Sequence, residues 1–382
     1  MNLNTTYIKL NGSYIPYETR RNPINIYNFK NIVLNNSKNF STKMNQRGEA
    51  ERIKEYFLYE NNHNFVIPSD CVIMFNKYKK EHVSAYIGKK TYVYKIMTMN
   101  NIGHFIIDNL YPIIKMIATD QNMLDKPISA LNRNINIIFL KTYSESEKQQ
   151  TVWKKHFDYL LPFTKNKIQF LSDISDKTLF EDVILCTCGI GKKRGHSNWM
   201  QHENLNENNS IKFCNFVKNI YYKFYNITEN IYPKKIIILS RRNAKHRIIR
   251  NEKEMFNTLN QKYNNVELVE FEKYNLQNEL KLLNNTFIFI TPHGAGVISS
   301  FFIPKNSYCI IFHPKGFPFT CDFPTIYKIF LERLQINTIQ YENTDSRDID
   351  YKNIYVNRDK RAFYINIPEI TNFVDEIMKK NE

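Results

Sequence analysis

Arginine side chains cluster directly after a short apolar run in the second half of the chain. The run Lys235 to Leu239 reads KIIIL, and Arg241, Arg242 and Arg247 follow it. A planar guanidinium group stays charged at any working pH and matches the paired oxygens of a diphosphate. If the run is a parallel strand, its carboxyl end brings these side chains to the edge where such sheets bind ligands. The pattern indicates a diphosphate site, and a solvated basic loop is the alternative.

A glycine-rich turn, His293-Gly294-Ala295-Gly296, follows a second buried apolar run that ends at Thr291. Glycine lets the backbone approach a ligand closely, and a helix that begins after such a turn directs its free N–H groups at that ligand. The sequence therefore predicts a ligand at this turn. An ordinary tight turn with a hydrogen-bonded histidine is the alternative.

A third candidate element, a histidine and an aspartate, lies in the first half of the chain. His104 and Asp108 are four residues apart near the start of an apolar helical pattern, residues 100–118, which places both on one face of a helix. An imidazole or a carboxylate at this position could take the proton from an acceptor hydroxyl. The alternative is that Asp108 pairs locally and His104 is a satisfied core residue. Pro112 predicts a kink or a new helix start.

Two blocks of alternating strand and helix patterns must position these residues. The first contains the continuous apolar run at 135–140, and the second extends from 235 to 341. This alternation predicts two doubly wound domains with parallel sheets, whose ligands bind at the carboxyl ends of strands in the crevice between the domains. We expect the boundary after residue 228, before a polar link that contains Pro233, and an amphipathic helix at Pro368 to Lys380.

The composition limits the classes of partner. The net charge of +16 favours anionic ligands, but it is spread along the chain without a dense basic arm, so nucleic-acid binding is not expected. None of the six cysteines forms a Cys-x-x-Cys pair, which predicts buried thiols and no metal site. The first residues are polar and no run of eighteen apolar residues occurs, so we expect a cytoplasmic protein without a signal peptide or transmembrane segment.

The three elements together resemble glycosyltransferase family 61. The family's early His…Asp-x-Leu-x-Pro element matches GHFIIDNLYPI, and its Ser-Arg…Arg…Asn-Glu element matches SRRNAKHRIIRNE. Its His-Gly-Ala-Gly element, with Phe-x-Pro and an apolar strand behind it, matches HGAGVISSFFIPKNSYCIIFHP. The resemblance covers roughly residues 100–335, and the last two motifs are the most specific.

The resemblance implies an α/β fold of GT-B type, with two Rossmann-like domains that face each other across a cleft. Residues 1–228 would then form the acceptor-side domain and residues 229–360 the nucleotide-sugar-binding domain. Residues 361–382 would form a C-terminal helix that crosses back to the N-terminal domain. The implied reaction is an inverting transfer from a nucleotide sugar, expected to be UDP-linked, to a hydroxyl group of a glycan or protein acceptor.

The resemblance also assigns roles to the motif residues. Arg241 and Arg247 would hold the diphosphate, with Arg242 beside them, and His293 to Gly296 would line the phosphate and donor-sugar pocket. A basic cleft and a helix N-terminus can stabilise a departing diphosphate without a bound metal, so no cofactor is required and a divalent metal is not expected to be essential.

The base and the acceptor are less closely defined. Asp108 or His104 would act as the base, and no residue is indicated for the acceptor. Many family members carry a glutamate in the strand after Phe-x-Pro, where this chain has Ile311, and Val297-Ile298 replaces their usual Leu-Thr pair. Eukaryotic relatives carry an N-terminal membrane anchor. No apolar segment of that kind is expected in this sequence, which fits a bacterial or viral origin. A homodimer is compatible with the sequence.

Two functional alternatives remain open at this point. One is a non-catalytic nucleotide- or glycan-binding protein, and the other is a nucleotide-sugar hydrolase on the same fold. A P-loop enzyme is disfavoured because the chain contains no Gly-x-x-x-x-Gly-Lys-Ser/Thr sequence.

Overall fold

The computed structural model describes fourteen stretches of the chain: residues 8–9, 25–35, 53–58, 64–66, 71–76, 85–95, 102–140, 156–170, 173–175, 178–187, 207–244, 247–313, 322–342 and 362–381. The chain divides into two compact units, residues 1–204 and 205–382. The sequence pattern predicts a helix at 144–161 and a loop at 189–210. Residues 144–155 and 189–206 lie outside the described stretches, and residues 207–210 belong to a helix and not to the predicted loop.

The first unit is built on one mixed sheet. Its ten strands are β1 (Ile8–Lys9), β2 (Asn25–Asn35), β3 (Ile53–Leu58), β4 (Asn64–Val66), β5 (Cys71–Asn76), β6 (Ala85–Ile87), β7 (Thr91–Lys95), β8 (Asn136–Leu140), β9 (Gln169–Phe170) and β10 (Thr178–Thr187). The order is β4-β5-β3-β2-β10-β7-β8-β9, with β1 on β2 and β6 on β10.

The expectation of a wholly parallel first sheet was wrong. Strands β10, β7, β8 and β9 are parallel, as predicted, but β2 pairs antiparallel with both β10 and β3. The composition of Glu49 to Tyr59, with apolar residues at Ile53, Phe57 and Leu58, predicts a helix. This prediction is wrong, because β3 occupies residues 53–58. Its sequence IKEYFL has helix-compatible charges, but β3 pairs with β2 on one side and β5 on the other. Sheet pairing therefore overrides the local preference.

A helical segment after β7 carries the third candidate element. It consists of α1 (Ile102–His104), a π-helical turn (Phe105–Leu110) and α2 (Tyr111–Asp120), and it buries residues such as Ile106, Ile113 and Ile117. Pro112 has no N–H for the carbonyl of Asp108, four residues before it, so a regular α-helix would leave that carbonyl without its donor. The predicted interruption is therefore a widened turn that includes Asp108. Short 3₁₀ helices follow at Ile128–Ala130 and Phe157–Leu160.

The second unit has the parallel sheet that the sequence predicts. Its strands are β11 (Lys235–Leu239), β12 (Val266–Val269), β13 (Thr286–Pro292), β14 (Tyr308–His313) and β15 (Asn337–Glu342), in the order β12-β11-β13-β14-β15. Its helices are α3 (Glu207–Phe224), α4 (Glu252–Lys262), α5 (Leu276–Leu283), α6 (Asp322–Arg333) and α7 (Ile367–Lys379), with 3₁₀ helices at Phe271–Lys273 and Ala295–Phe302. None of the described helices is both long and apolar enough to span a membrane.

Helix α7 buries its apolar face within the second unit. Ile370, Val374 and Ile377 join one core cluster with Met255 and Leu259 of α4 and with the strands beneath them. Because these contacts already use the apolar stripe of the helix, the predicted return of the C-terminal helix to the N-terminal domain is not confirmed.

Helix α3 also belongs to the second unit, so the division of the chain falls before this helix and not after residue 228. Its Lys218 is buried and donates hydrogen bonds to Glu229 Oε1 at 2.6 Å and to the Ile303 carbonyl at 2.8 Å. Tyr222 donates to the Phe302 carbonyl at 2.5 Å. These two side chains cap the end of the 3₁₀ helix at 295–302, which fixes it against α3.

Candidate active site

The arginine loop and the glycine turn leave the second sheet at its topological switch point. The chain passes outward from β11 to β12, returns across β11 to β13, and continues to β14 and β15 on the other side. In open α/β sheets, ligands bind at the carboxyl ends of the two strands between which the order reverses. Those strands are β11, which leads into residues 240–252, and β13, which leads into residues 293–296.

Two guanidinium groups lie against Gly294. Arg247 Nη1 donates a hydrogen bond to the His293 carbonyl at 2.8 Å. A Cβ atom added to Gly294 would lie 2.3 Å from Arg247 Nη1 and 3.7 Å from Arg241 Nη1. The structure therefore brings together three elements that the sequence predicted for one site, namely Arg241, Arg247 and the glycine turn.

This arrangement concentrates positive charge. Burial lowers the pKa of Arg241, and the nearby charge of Arg247 lowers it further. The turn leads directly into the 3₁₀ helix at 295–302, whose first N–H groups have no acceptor within the helix. Two close cations at the start of a helix repel each other and are stabilised when an anion with several oxygens neutralises both. The geometry is suited to a diphosphate.

Gly294 has a backbone conformation that other residues rarely adopt, with φ +138° and ψ −160°. We expect Gly294→Ala to weaken pyrophosphate binding by about tenfold or more, because this region costs an L-residue about 1–3 kcal/mol and the methyl group would displace Arg247. Titration calorimetry with pyrophosphate measures the loss. The matched control is Gly88→Ala in an exposed turn of the first unit, and equal affinities in both variants would contradict the assignment.

Gly296 has a different role in the structure. A Cβ atom there would lie 2.3 Å from Leu239 Cδ2, at the end of β11. The missing side chain therefore lets the 3₁₀ helix pack closely on the strand. The ligand contact that the sequence predicted for Gly296 stays a prediction, as does that of Ala295, which is half-buried in the first turn of the helix.

Two buried imidazoles stand behind the turn. The ring centroids of His293 and His313 are 4.9 Å apart, and the ring of Tyr327, from α6, is 5.8 Å from His293. Burial lowers the pKa of His313 to about 4, with Arg247 adding to the effect. Burial also lowers the pKa of His293 well below its usual value, and His313 and both arginines lower it further. Both rings are therefore neutral near pH 7.

His313 is a site neighbour that sequence reasoning did not select. It is the last residue of β14, two positions after Ile311 and so on the same face of the strand. Ile311 itself is 1% exposed and pairs with Thr291 in the sheet, so it contributes packing where many family members have a glutamate. The position of His313 at the carboxyl end of a central strand was the available signal.

Arg242 is engaged in an ion pair with another loop. Its Nε donates to Glu270 Oε1 at 2.6 Å, Asn243 Nδ2 donates to Oε2 at 2.8 Å, and Lys273 Nζ lies 3.1 Å from Oε2. The hydrogen bond from Arg242 is the main reason that the pKa of Glu270 is lowered. Arg242 therefore ties the segment after β11 to the segment after β12, and its predicted contact with the nucleotide stays a prediction.

The serine, asparagine and glutamate of the same motif hold the arginine loop in place. Ser240 Oγ donates to Glu252 Oε1 at 2.8 Å, and both residues are buried. Asn251 forms two hydrogen bonds with the backbone of Ile365, at 2.9 and 3.0 Å. The Ser240–Glu252 bond thus closes the loop that carries Arg241 and Arg247, and Asn251 helps to fasten this loop to the C-terminal segment.

We expect Ser240→Ala to reduce the free energy of unfolding by about 1–3 kcal/mol, since a buried acceptor would lose its donor. Among the described residues, Glu252 Oε2 already has no hydrogen-bond partner, so the variant would leave both carboxylate oxygens unsatisfied. Urea unfolding measures the change against Ser129→Ala, an exposed serine in a 3₁₀ helix. If both variants unfold at the same urea concentration, the Ser240–Glu252 bond does not stabilise the loop.

The third candidate element lies in the first unit. The structure gives the backbone of His104, at the end of α1, and of Asp108, inside the π-helical turn. Their side chains lie outside the described part, so their roles stay predictions. The neighbouring Phe105 is buried and stacks on His156 with ring centroids 5.1 Å apart. Within the described stretches, no three His, Cys, Asp or Glu residues gather as metal ligands.

Comparison with known proteins identifies the family. The model of the family described as Glycosyltransferase 61 matches residues 102–311, more than half of the chain. The EGF domain-specific O-linked N-acetylglucosamine transferase of Drosophila melanogaster is 33% identical over 119 residues, which are 31% of this chain and 21% of that protein.

A glycosyl transferase family 9 structure from Veillonella parvula DSM 2008 aligns over 78% of this chain and 99% of that one. Its identity is 9% and its TM-score 0.31, too low to define the fold.

The segment matched by the family model contains all three sequence elements, at 104–108, 240–252 and 293–296. The resemblance seen in the sequence is therefore confirmed. The chain belongs to glycosyltransferase family 61.

Proposed function

We propose that this glycosyltransferase uses a nucleotide sugar, expected to be UDP-linked, and binds its diphosphate between Arg241 and Arg247. The observation that carries the proposal is the convergence of both guanidinium groups on Gly294 at the switch point of the second sheet. Bidentate guanidinium groups and the N–H groups at a helix start are the donors that diphosphates bind in proteins.

The proposed reaction is a single displacement with inversion at the anomeric carbon. The acceptor oxygen forms a bond to this carbon as the bond to the diphosphate oxygen breaks, and a base takes the acceptor proton. Arg241 and Arg247 neutralise the charge that develops on the departing diphosphate, which is where preorganised electrostatics lower the barrier most. Asp108 or His104 is the proposed base, from the family resemblance.

The donor sugar and the acceptor follow from the comparisons as hypotheses. The Drosophila relative is named for N-acetylglucosamine and for EGF domains, but the match spans about a fifth of its length. UDP-N-acetylglucosamine is therefore the first donor to test, and a protein hydroxyl group the first acceptor. The GT-B organisation of the two units stays a prediction of the family resemblance.

A transfer assay tests this function. The purified chain is incubated with each of several UDP, GDP and CMP sugars, with and without hydroxyl acceptors, and the release of nucleotide and the glycosylated product are both measured. We expect acceptor-dependent release from a UDP sugar, and NMR of the product should show the inverted anomer. Release without any product bond would indicate a hydrolase, and a retained anomer would contradict the single displacement.

A further inference from the structure

A carboxyl group is buried beside the helix that starts at the glycine turn. Glu279, on α5, is 8% exposed, and Leu280 next to it is fully buried. Ser299 Oγ, on the 3₁₀ helix at 295–302, donates a hydrogen bond to Glu279 Oε1 at 2.7 Å. Within the described part of the chain, Ser299 is the one residue that donates to this carboxyl group, and no Lys or Arg forms an ion pair with it.

Such an arrangement is a poor stabiliser of a fold. Moving most of a carboxylate out of water is unfavourable unless cations or several donors replace the water, and among the described residues one neutral hydroxyl donates to it. An ionised carboxylate can accept about four hydrogen bonds, so most of its capacity is unused by the described residues. A ligand with hydroxyl groups would supply the missing donors.

The carboxyl group is electrostatically linked to the proposed diphosphate site. Glu272, in the turn after β12, is exposed, and its charge acts on both Glu279 and Arg241. Ser299, which holds Glu279, lies on the helix that begins at Gly294. Glu279 lies in the first turn of α5, after the carboxyl end of β12, and Ser299 lies on the helix after the carboxyl end of β13. Both residues therefore follow strand ends at the edge of the second sheet that also carries the arginine pair.

We propose that Glu279, oriented by Ser299, binds sugar hydroxyl groups of the nucleotide-sugar donor and so helps to determine which donor is used. The inference rests on the proposed function, because it takes Arg241 and Arg247 as the diphosphate site. The hydroxyl groups could belong to the ribose or to the transferred sugar, since both present them close to a diphosphate. Carboxylates bind hydroxyl groups through charge-assisted hydrogen bonds.

The ionisation of Glu279 gives this contact a pH dependence. Burial raises its pKa to about 7, the Ser299 hydrogen bond lowers it in part, and Glu272 raises it again. Hydroxyl donors favour the ionised form, so a bound donor stabilises the carboxylate over the protonated acid. Affinity for UDP-N-acetylglucosamine should therefore fall in the wild type as the pH is lowered through 7, whereas Glu279→Gln, whose amide does not titrate, should not show this loss. His293, whose pKa lies well below its usual value, stays neutral over this range.

Titration calorimetry with three probes tests the proposal on the full chain. The probes are pyrophosphate, UDP and UDP-N-acetylglucosamine, and the variants are Glu279→Gln and Ser299→Ala. Because a hydrogen bond to a charged group is worth about 10- to 100-fold in affinity, we expect Glu279→Gln to lose about tenfold or more for a sugar-containing probe. Pyrophosphate affinity should stay unchanged. Ser299→Ala should show the same pattern with a smaller loss.

The outcomes separate the inference from the proposed function. A loss for UDP, absent with 2′-deoxy-UDP, assigns the contact to the ribose, and a loss confined to the UDP sugar assigns it to the transferred sugar. If Glu279→Gln binds all three probes like the wild type, the inference is wrong while the diphosphate site stands. If the wild type binds neither pyrophosphate nor UDP, the inference and the proposed function both fail.

Glu254→Gln, at an exposed position on α4, is the charge-matched control, and thermal melting confirms that each variant is folded.

Discussion

Replacing Arg241 and Arg247 together with alanine should reduce affinity for UDP and for pyrophosphate by about 100-fold or more, because each charged hydrogen bond contributes about 1.5–3 kcal/mol. The single variants should each lose less, and their effects should not add, since both guanidinium groups lie beside one turn at Gly294. Turnover should fall at least as strongly as binding, because the same charges stabilise the departing diphosphate.

Arg250→Ala provides the control for this prediction. Arg250 lies in the same loop and is exposed, and its guanidinium group lies 5.5 Å from the ring of Tyr364. The Arg250→Ala substitution therefore removes one positive charge from the arginine loop and leaves Arg241 and Arg247, the two groups beside the turn, in place. Pyrophosphate titration of all four variants measures the effect. If the double variant binds pyrophosphate as tightly as Arg250→Ala, the diphosphate lies elsewhere.

Asp108→Asn should leave UDP affinity unchanged and lower turnover by about 10²- to 10⁴-fold, the usual contribution of a general base. The amide keeps the shape of the side chain but cannot accept the proton of the acceptor hydroxyl. The backbone gives a physical reason to choose this residue, because Asp108 lies in a π-helical turn. Pro112 explains how the turn forms, and such turns occur frequently at functional sites.

His104→Asn separates the two candidate bases. If Asp108→Asn retains full turnover and His104→Asn does not, the base is His104, and if both retain it, neither residue is the base. Asp158→Asn is the matched control, since Asp158 is an exposed carboxylate in a 3₁₀ helix of the first unit. Rapid-quench measurement of one turnover reports the chemical step separately from product release.

The second unit could be read almost completely from the sequence. Its central strands β11, β13 and β14 carry continuous apolar runs between turn residues, which is the pattern of buried parallel strands. The first unit was less predictable. Its antiparallel strands pair across long separations, so neither their partners nor the strand character of residues 53–58 could be read from local composition.

The residues of the candidate site were also predictable only in part. Arg241, Arg247 and the glycine turn were predictable because each follows a strand directly, and topology then brings their ends together. The pairing of Arg242 with Glu270, by contrast, depends on a side chain from a different strand end. Glu279 was missed because its burial and its partner, and not its residue type or spacing, make it notable.

A crystal structure of the full chain with UDP is the decisive test of the diphosphate site. We expect the diphosphate to lie at the carboxyl ends of β11 and β13, with its oxygens within hydrogen-bond distance of Arg241 and Arg247 and of the first N–H groups after Gly294. UDP bound at any other place, with both guanidinium groups making no contact to phosphate, would contradict it.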